Sequence, residues 1–148
     1  IVKLIKDSGA QERAPEYSWP MSYDILAFNP AAVEDANFLT WWNEQAELMI
    51  EHPGSDAFET TPELKAFYAE LIQTFPSMNG PDSPTDEQFD ADEDLEDRLA
   101  DYSGGPDLVY VGFAWSQADS ARDTFIRLAA KHGVAVALVS DQSQILRP

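Results

Sequence analysis

Apolar residues recur along this chain at spacings that separate strands from helices. Ser22-Tyr23-Asp24-Ile25-Leu26-Ala27-Phe28 is rich in strand-forming residues and ends at Asn29-Pro30, which predicts a strand. Phe38, Leu39, Trp42, Ala46, Met49 and Ile50 then return every three or four residues, which predicts a helix. Asp35 is placed to cap it, and His52-Pro53-Gly54-Ser55 to break it. A second helix is more sharply drawn. Leu64, Phe67, Tyr68, Leu71, Ile72 and Phe75 form one apolar face. Thr60-Thr61-Pro62-Glu63 offers an N-cap, an early-turn proline and a capping-box glutamate, and Pro76 stops the helix.

The second half reads as strand, helix, strand. Residues 108–115, Leu-Val-Tyr-Val-Gly-Phe-Ala-Trp, are a continuous apolar run that suits a central strand buried on both faces. Ser116 is positioned to cap a helix whose inner face is Ala118, Ala121, Phe125, Leu128 and Ala129, ended by Gly133. Residues 134–139 predict another buried strand, Asp141-Gln142-Ser143 a turn, and Ile145-Leu146 a short final strand. A further short strand is expected around residues 101–103. Residues 1–20 carry Pro15 and Pro20 without clear periodicity and read as an extension, with a short strand at residues 2–5. The expected fold is α+β: a ferredoxin-like split βαβ sandwich over residues 21–148, helices on one face, with an extra helix and an acidic surface loop.

Composition narrows the function classes. Trp19, Trp41, Trp42, Trp115 and eight phenylalanines argue for a packed core. The chain has no cysteine, which excludes disulfides and cysteine-ligated zinc or iron–sulfur centres. No run approaches the roughly 18 apolar residues of a membrane span. Ile1-Val2-Lys3-Leu4-Ile5-Lys6 is too short for a signal-peptide core, so a cytoplasmic protein is expected.

Charge gives the clearest hint of a partner. The formal net charge is −18, which repels nucleic acid and anionic membranes and suits a basic protein. Half of it lies in residues 82–101. There Asp82, Asp86, Glu87, Asp90, Asp92, Glu93, Asp94, Glu96, Asp97 and Asp101 are opposed only by Arg98. Such a block repels itself and stays at the surface, as an acidic loop or a short helix near Asp94.

Catalytic signatures are missing. There is no G-x-S-x-G, Walker A or G-x-G-x-x-G pattern, and Gly104-Gly105 reads as turn glycine. His52 and His132 each stand near a predicted helix C-terminus, where a cation meets the dipole favourably. With 27 acidic residues, no Asp/Glu pair is specific enough to name as an acid–base couple. Asp90, Asp92, Asp94, Glu96 and Asp101 fall at positions 1, 3, 5, 7 and 12 of a calcium loop. Leu95 occupies the glycine position, however, Arg98 stands at position 9 and aspartate replaces the final glutamate. A solvated acidic loop is therefore the preferred reading, with no metal and no cofactor. Trp41 and Trp42 are adjacent, so both cannot point inward, and one is expected at a rim where it would anchor a partner. The expected partner-binding residues are Asp90, Asp92, Glu93, Asp94, Glu96, Asp97 and Trp41, with no catalytic residue.

Four segments carry a resemblance: Met21-Ser22-Tyr23-Asp24-Ile25-Leu26-Ala27-Phe28-Asn29-Pro30, Phe38-Leu39-Thr40-Trp41-Trp42, Thr61-Pro62-Glu63-Leu64 and Val111-Gly112-Phe113-Ala114-Trp115-Ser116. Together, over residues 21–148, they resemble a group of small acidic bacterial proteins that open with a Ser-Tyr-Asp strand, of the kind that act as toxin immunity proteins. The resemblance implies a non-enzymatic protein that binds a cognate toxin acting in the cytosol and occludes its basic active-site cleft. Two other classes stay open at this point: a small enzyme with a carboxylate-lined cleft, and a divalent-cation-binding interaction module.

Overall fold

The computed structural model describes residues 22–51, 59–78 and 82–148. The strand expected at residues 2–5, the break at 52–55, the loop start at 79–81 and the side chain of Ile50 lie outside the described residues. The fold is mixed α+β, with three main helices on an open, antiparallel five-stranded sheet. In chain order the elements are β1 (Ser22–Phe28), α1 (Phe38–Glu51), α2 (Pro62–Thr74), the short α3 (Asp86–Ala91) and α4 (Leu95–Arg98), then β2 (Ala100–Gly105), β3 (Leu108–Ala114), α5 (Ala118–His132), β4 (Ala135–Leu138) and β5 (Gln144–Leu146).

The sheet runs β2-β3-β1-β4-β5. β1 is its middle strand, pairing with β3 from Ser22↔Ala114 to Phe28↔Leu108 and with β4 from Leu26↔Ala137 to Phe28↔Ala135. β3 is interior and largely buried on both faces, as its apolar run predicts, but the centre belongs to β1. Every β1 residue after Ser22 is buried, so the strand needs cover on both sides. Tyr23, Ile25 and Ala27 point into a core with Leu64, Phe67 and Leu71 of α2 and Ala121, Phe125 and Leu128 of α5. Leu26 and Phe28 point the opposite way and meet Phe38, Trp42 and Ala46 of α1.

The expected placement of all helices on one face is therefore corrected. Among the described residues α1 alone covers the second face, where Leu26, Phe28, Leu108 and Tyr110 would otherwise leave a large apolar surface in water. Within α1, Leu39 departs from the predicted stripe. It is 56 % exposed because its neighbour Phe38 takes the inward position.

Helix ends follow local chemistry, with shifts of a residue. Thr61 caps α2, its Oγ1 accepting from the Leu64 N–H at 3.1 Å with Pro62 in the first turn. Glu63 is then only the second helical residue, so the expected capping box does not close, and Thr60 instead donates to the Pro106 carbonyl at 3.0 Å. A capping box does form at α3. Gln88 N–H donates to Thr85 Oγ1 (3.2 Å), and Thr85 N–H donates to Gln88 Oε1 (2.8 Å). Asp35 does not cap α1; its carboxylate accepts from Arg147 Nε at 2.7 Å. Ser116 lies inside a 3-10 turn, Trp115–Gln117, and makes no cap bond. Gly133 closes α5 at φ +73°, the left-handed conformation that favours glycine.

Gly104 and Gly105 are strand residues. The turn of the β2–β3 hairpin is Pro106-Asp107, because Gly105 still pairs with Leu108. His132 sits in the last turn of α5, and its Nε2 lies 2.9 Å from Glu70 Oε1, which also receives Lys131 Nζ at 3.0 Å. This three-residue tie joins the surfaces of α2 and α5. Among the described residues no helix is long and apolar enough to cross a membrane.

Candidate functional site

Two regions carry chemistry beyond packing. The first is the acidic segment, which folds into an ordered ridge. α3 begins at the Thr85 capping box, and Leu95 of α4 is buried as an anchor. Asp92 holds the turn between the two helices. Its Oδ2 accepts from Arg98 at 2.7 Å and its Oδ1 from the Asp94 N–H at 3.0 Å. The Arg98 bond, followed by the Asp94 amide, holds the Asp92 carboxyl below its ordinary range. Arg98 Nε also reaches the Thr74 carbonyl at 3.3 Å, tying the ridge to the end of α2.

Asp90, Glu93, Asp94, Glu96 and Asp97 are exposed along this ridge, whereas Asp92 is half-buried. Asp101 lies beyond it in β2. A calcium loop is thereby disfavoured geometrically, since residues 90–101 run through helix, turn, helix and strand. Among the described residues no group of three or more His, Cys, Asp or Glu side chains stands where it could hold a metal ion.

Trp41 does not join the ridge. It is half-buried and packs on Phe28 (centroids 5.5 Å apart) and Phe38 (6.0 Å), at the end of the sheet where Phe28 pairs with Leu108. The ridge leads into Ala100, which pairs with Phe113 at the opposite end. The aromatic beside the ridge is Trp115, because α4 packs against the turn that Trp115 begins. Trp115 is 52 % exposed and meets Tyr23 edge-on at 5.3 Å. Reading residues 108–115 as one buried strand put it inside. The polar Ser116-Gln117 that follows is the local signal that the strand ends at Ala114.

The second region lies at the same end of the sheet, on the α1 face. Asp24 is 4 % exposed, the lone acid in an otherwise apolar strand. Its Oδ2 accepts a hydrogen bond from the Tyr110 hydroxyl, and its backbone N–H donates to Ser140 Oγ at 2.9 Å. Burial pushes the Asp24 carboxyl up, with the Tyr110 and Ser22 hydroxyls opposing. The Ser22 hydroxyl is close enough to favour the ionised form, yet Asp24 Oδ1 makes no hydrogen bond of ordinary geometry. Nor do the buried Trp42 Nε1 and Asn43 Oδ1. Burial first, and then Asp24, pushes Tyr110 well above its usual range. Asp101 keeps an exposed side, but partial burial raises its carboxyl too. On the other face, burial and then Asp141 push Tyr23 up to about 12, its hydroxyl donating to Asp141 Oδ2 at 2.5 Å.

No protein-family model, curated protein or solved structure matches this chain. A shallow depression of about 670 Å³ near Pro30, Val33, Glu34, Asp35 and Arg147 offers little chemistry. The Arg147 guanidinium already donates to Asp35, to the Pro30 carbonyl (2.8 Å) and to the Val33 carbonyl (2.7 Å), a clamp on the loop before α1.

Asp24 makes stability depend on pH. The folded state holds its proton more tightly than the unfolded chain does. Its stabilisation is complete below the ordinary carboxylate pKa of about 4 and is lost as pH rises through the raised folded value. Among the described residues, Tyr110 from β3, Ser22 from β1 and Asp101 from β2 act on it. Asp24→Asn removes the titration and keeps an acceptor for Tyr110. In urea unfolding, the variant should gain on the parent as pH rises above the ordinary carboxylate pKa of about 4 and through the raised folded value. A difference that stays constant across that span would rule out a raised Asp24.

Proposed function

We propose that this chain is an immunity-type protein that binds and neutralises a cognate bacterial toxin by occluding its basic active-site cleft. The observation that carries the reading is the ridge. Seven exposed carboxylates, Asp86, Glu87, Asp90, Glu93, Asp94, Glu96 and Asp97, stand on a segment fixed by a capping box, a buried leucine and the Asp92–Arg98 pair. Preordered charge of one sign steers an oppositely charged surface, and little ordering cost remains at the moment of contact. Trp115 at the foot of the ridge supplies an aromatic anchor, and Trp41 would serve a contact at the far end. The same reading keeps the protein in the cytoplasm, with a basic protein partner and without nucleic acid, membrane or cofactor. We read the sheet as ferredoxin-like. The chain passes from β1 through α2 to β2 and from β3 through α5 to β4, which supports two split βαβ units, with α1 and β5 added.

Asp24, Tyr110 and Asp101 supply what a small-enzyme reading would need, namely carboxyls and a phenol with raised pKa values. A general acid must reach its substrate. Asp24 is almost wholly buried, with one oxygen held by Tyr110, which favours binding over catalysis. Capture on immobilised protein, at about 0.05 M and about 0.5 M salt, tests the proposal. A basic partner retained at low salt and released at high salt is expected; no basic partner at low salt overturns it.

A further inference from the structure

We propose that the loop from Pro30 to Asp35 is a seat for an arginine side chain, filled by Arg147 in the free protein and taken over by an arginine of the basic partner. The exchange with a partner rests on the reading above. Arg147 shows what the seat accepts. Its Nε donates to Asp35 Oδ1 at 2.7 Å, its Nη1 to the Pro30 carbonyl at 2.8 Å and its Nη2 to the Val33 carbonyl at 2.7 Å. Its Cζ lies 5.7 Å from the centre of the Phe28 ring, within the range of a cation–π contact. Each guanidinium nitrogen thus finds its own acceptor while the ion lies over an aromatic ring. A planar fork with fixed N–H directions fits that arrangement, and the compact ammonium of lysine does not.

The loop takes its shape from bonds that do not involve Arg147. Asn29 N–H donates to the Asp107 carbonyl (2.9 Å) and Asn29 Nδ2 to Asp107 Oδ1 (3.1 Å), which ties the loop to the β2–β3 turn. Asn29 also accepts from the Ala31 N–H at its Oδ1 (3.0 Å) and from the Ala32 N–H at its carbonyl (2.9 Å). Val33 packs against the core under α1. Arg147, by contrast, is lightly held. It follows β5, a three-residue edge strand whose Gln144 is exposed and whose Ile145 and Leu146 are half-buried. The side chains of Arg147 and Asp35 are 32 % and 62 % exposed, so their ion pair contributes little. A preformed site with a lightly held internal ligand suits exchange, because an incoming guanidinium re-forms each bond that Arg147 gives up. The depression beside it has little chemistry left because Arg147 has taken those groups. It leaves room on the side of Glu34 and Asn37 for a second guanidinium to approach. Trp41, packed on Phe28, then belongs to an arginine contact remote from the ridge.

The test uses the whole ¹⁵N-labelled chain, with Nα-acetyl-arginine N-methylamide as the probe and its lysine and citrulline analogues as controls. Backbone amides and the Arg147 Nε–H signal are followed. In Arg147→Ala the arginine probe should give saturable shifts at Ala32, Val33 and Asp35. The two controls should bind at least about tenfold more weakly, the loss of charge-assisted hydrogen bonds. In the parent, tethered Arg147 competes at an effective concentration of about millimolar. The same probe should therefore bind at least about tenfold more weakly there, and should move the Arg147 Nε–H signal toward that of a solvated arginine. A dispersed spectrum confirms that the variant is folded; if the loop signals are lost, Arg147→Lys, which keeps the charge without the fork, takes its place. No saturable shift in the vacated seat, equal binding of the lysine probe, or a parent Arg147 signal that stays fixed would each overturn the seat. Arg147→Ala should also hold the captured partner several-fold more tightly than the parent, and equal or weaker retention overturns the exchange. A silent loop in a protein that still captures its partner through the ridge removes the seat and leaves the ridge standing. A responsive loop with no partner captured does the reverse.

Discussion

Trp42→Ala is expected to cost the fold about 3–5 kcal/mol, the usual price of emptying a large aromatic site in a packed core. Trp42 has no exposed surface and is the largest fully buried side chain among the described residues. Its ring lies on Tyr110, with centroids 5.2 Å apart, inside the cluster of Leu26, Phe28, Leu108, Ala135 and Ala137. Removing it opens the α1 layer on that face of the sheet and frees Tyr110, and through Tyr110 the buried Asp24. The neighbouring positions are the controls. Trp41 is half-buried, so Trp41→Ala should cost clearly less. Leu39 is mostly exposed, and Leu39→Ala should stay within about 0.5 kcal/mol of the parent. Urea unfolding of the three variants checks the order. Equal losses at Trp41 and Trp42 would mean that α1 does not lie on the sheet in this register.

The contrast between those two tryptophans also marks where the sequence stops being legible. Three- and four-residue spacing announced α1 and α2, and the alternation and apolar runs announced β1, β3 and β4. These are local signals, written within one element. Which face of the sheet a helix covers is not local, so nothing in the α1 stripe distinguished one face from the other. The acidic block was legible as charge. Its order was harder to see, because the capping box at Thr85 precedes polar residues and not an apolar run. Asp24 is the only acid of its strand, but the strand pattern alone did not mark it. Its partner Tyr110 lies 86 residues away, on the neighbouring strand β3. Pairings of that separation are set by sheet register, which one sequence does not print. Trp115 was misjudged for a smaller reason: an aromatic at the end of an apolar run looks the same whether the strand includes it or stops one residue before.

Neutralising the ridge is expected to change how fast the partner is found more than how long it is held. Asp90, Glu93, Asp94 and Glu96 are exposed and do not build the fold, so Asn and Gln replacements leave the segment in place. Asp92 is best kept, because its bonds to Arg98 and Asp94 hold the turn. Charge on such a ridge acts over roughly one Debye length, about 8–10 Å at physiological salt, before any contact forms. Steering of this kind raises association rates by about 10- to 1,000-fold over an uncharged surface. Loss of four charges should therefore remove much of the gain at low salt and little at high salt, where screening has already removed it.

The most direct test is the association rate of the captured basic partner, measured by stopped flow across a salt series, with the parent chain and with the Asp90→Asn, Glu93→Gln, Asp94→Asn, Glu96→Gln variant. The ridge account predicts a fall of about tenfold or more at low salt, converging with the parent as salt rises, and a smaller change in dissociation. Equal association rates for the two proteins at low salt would contradict it.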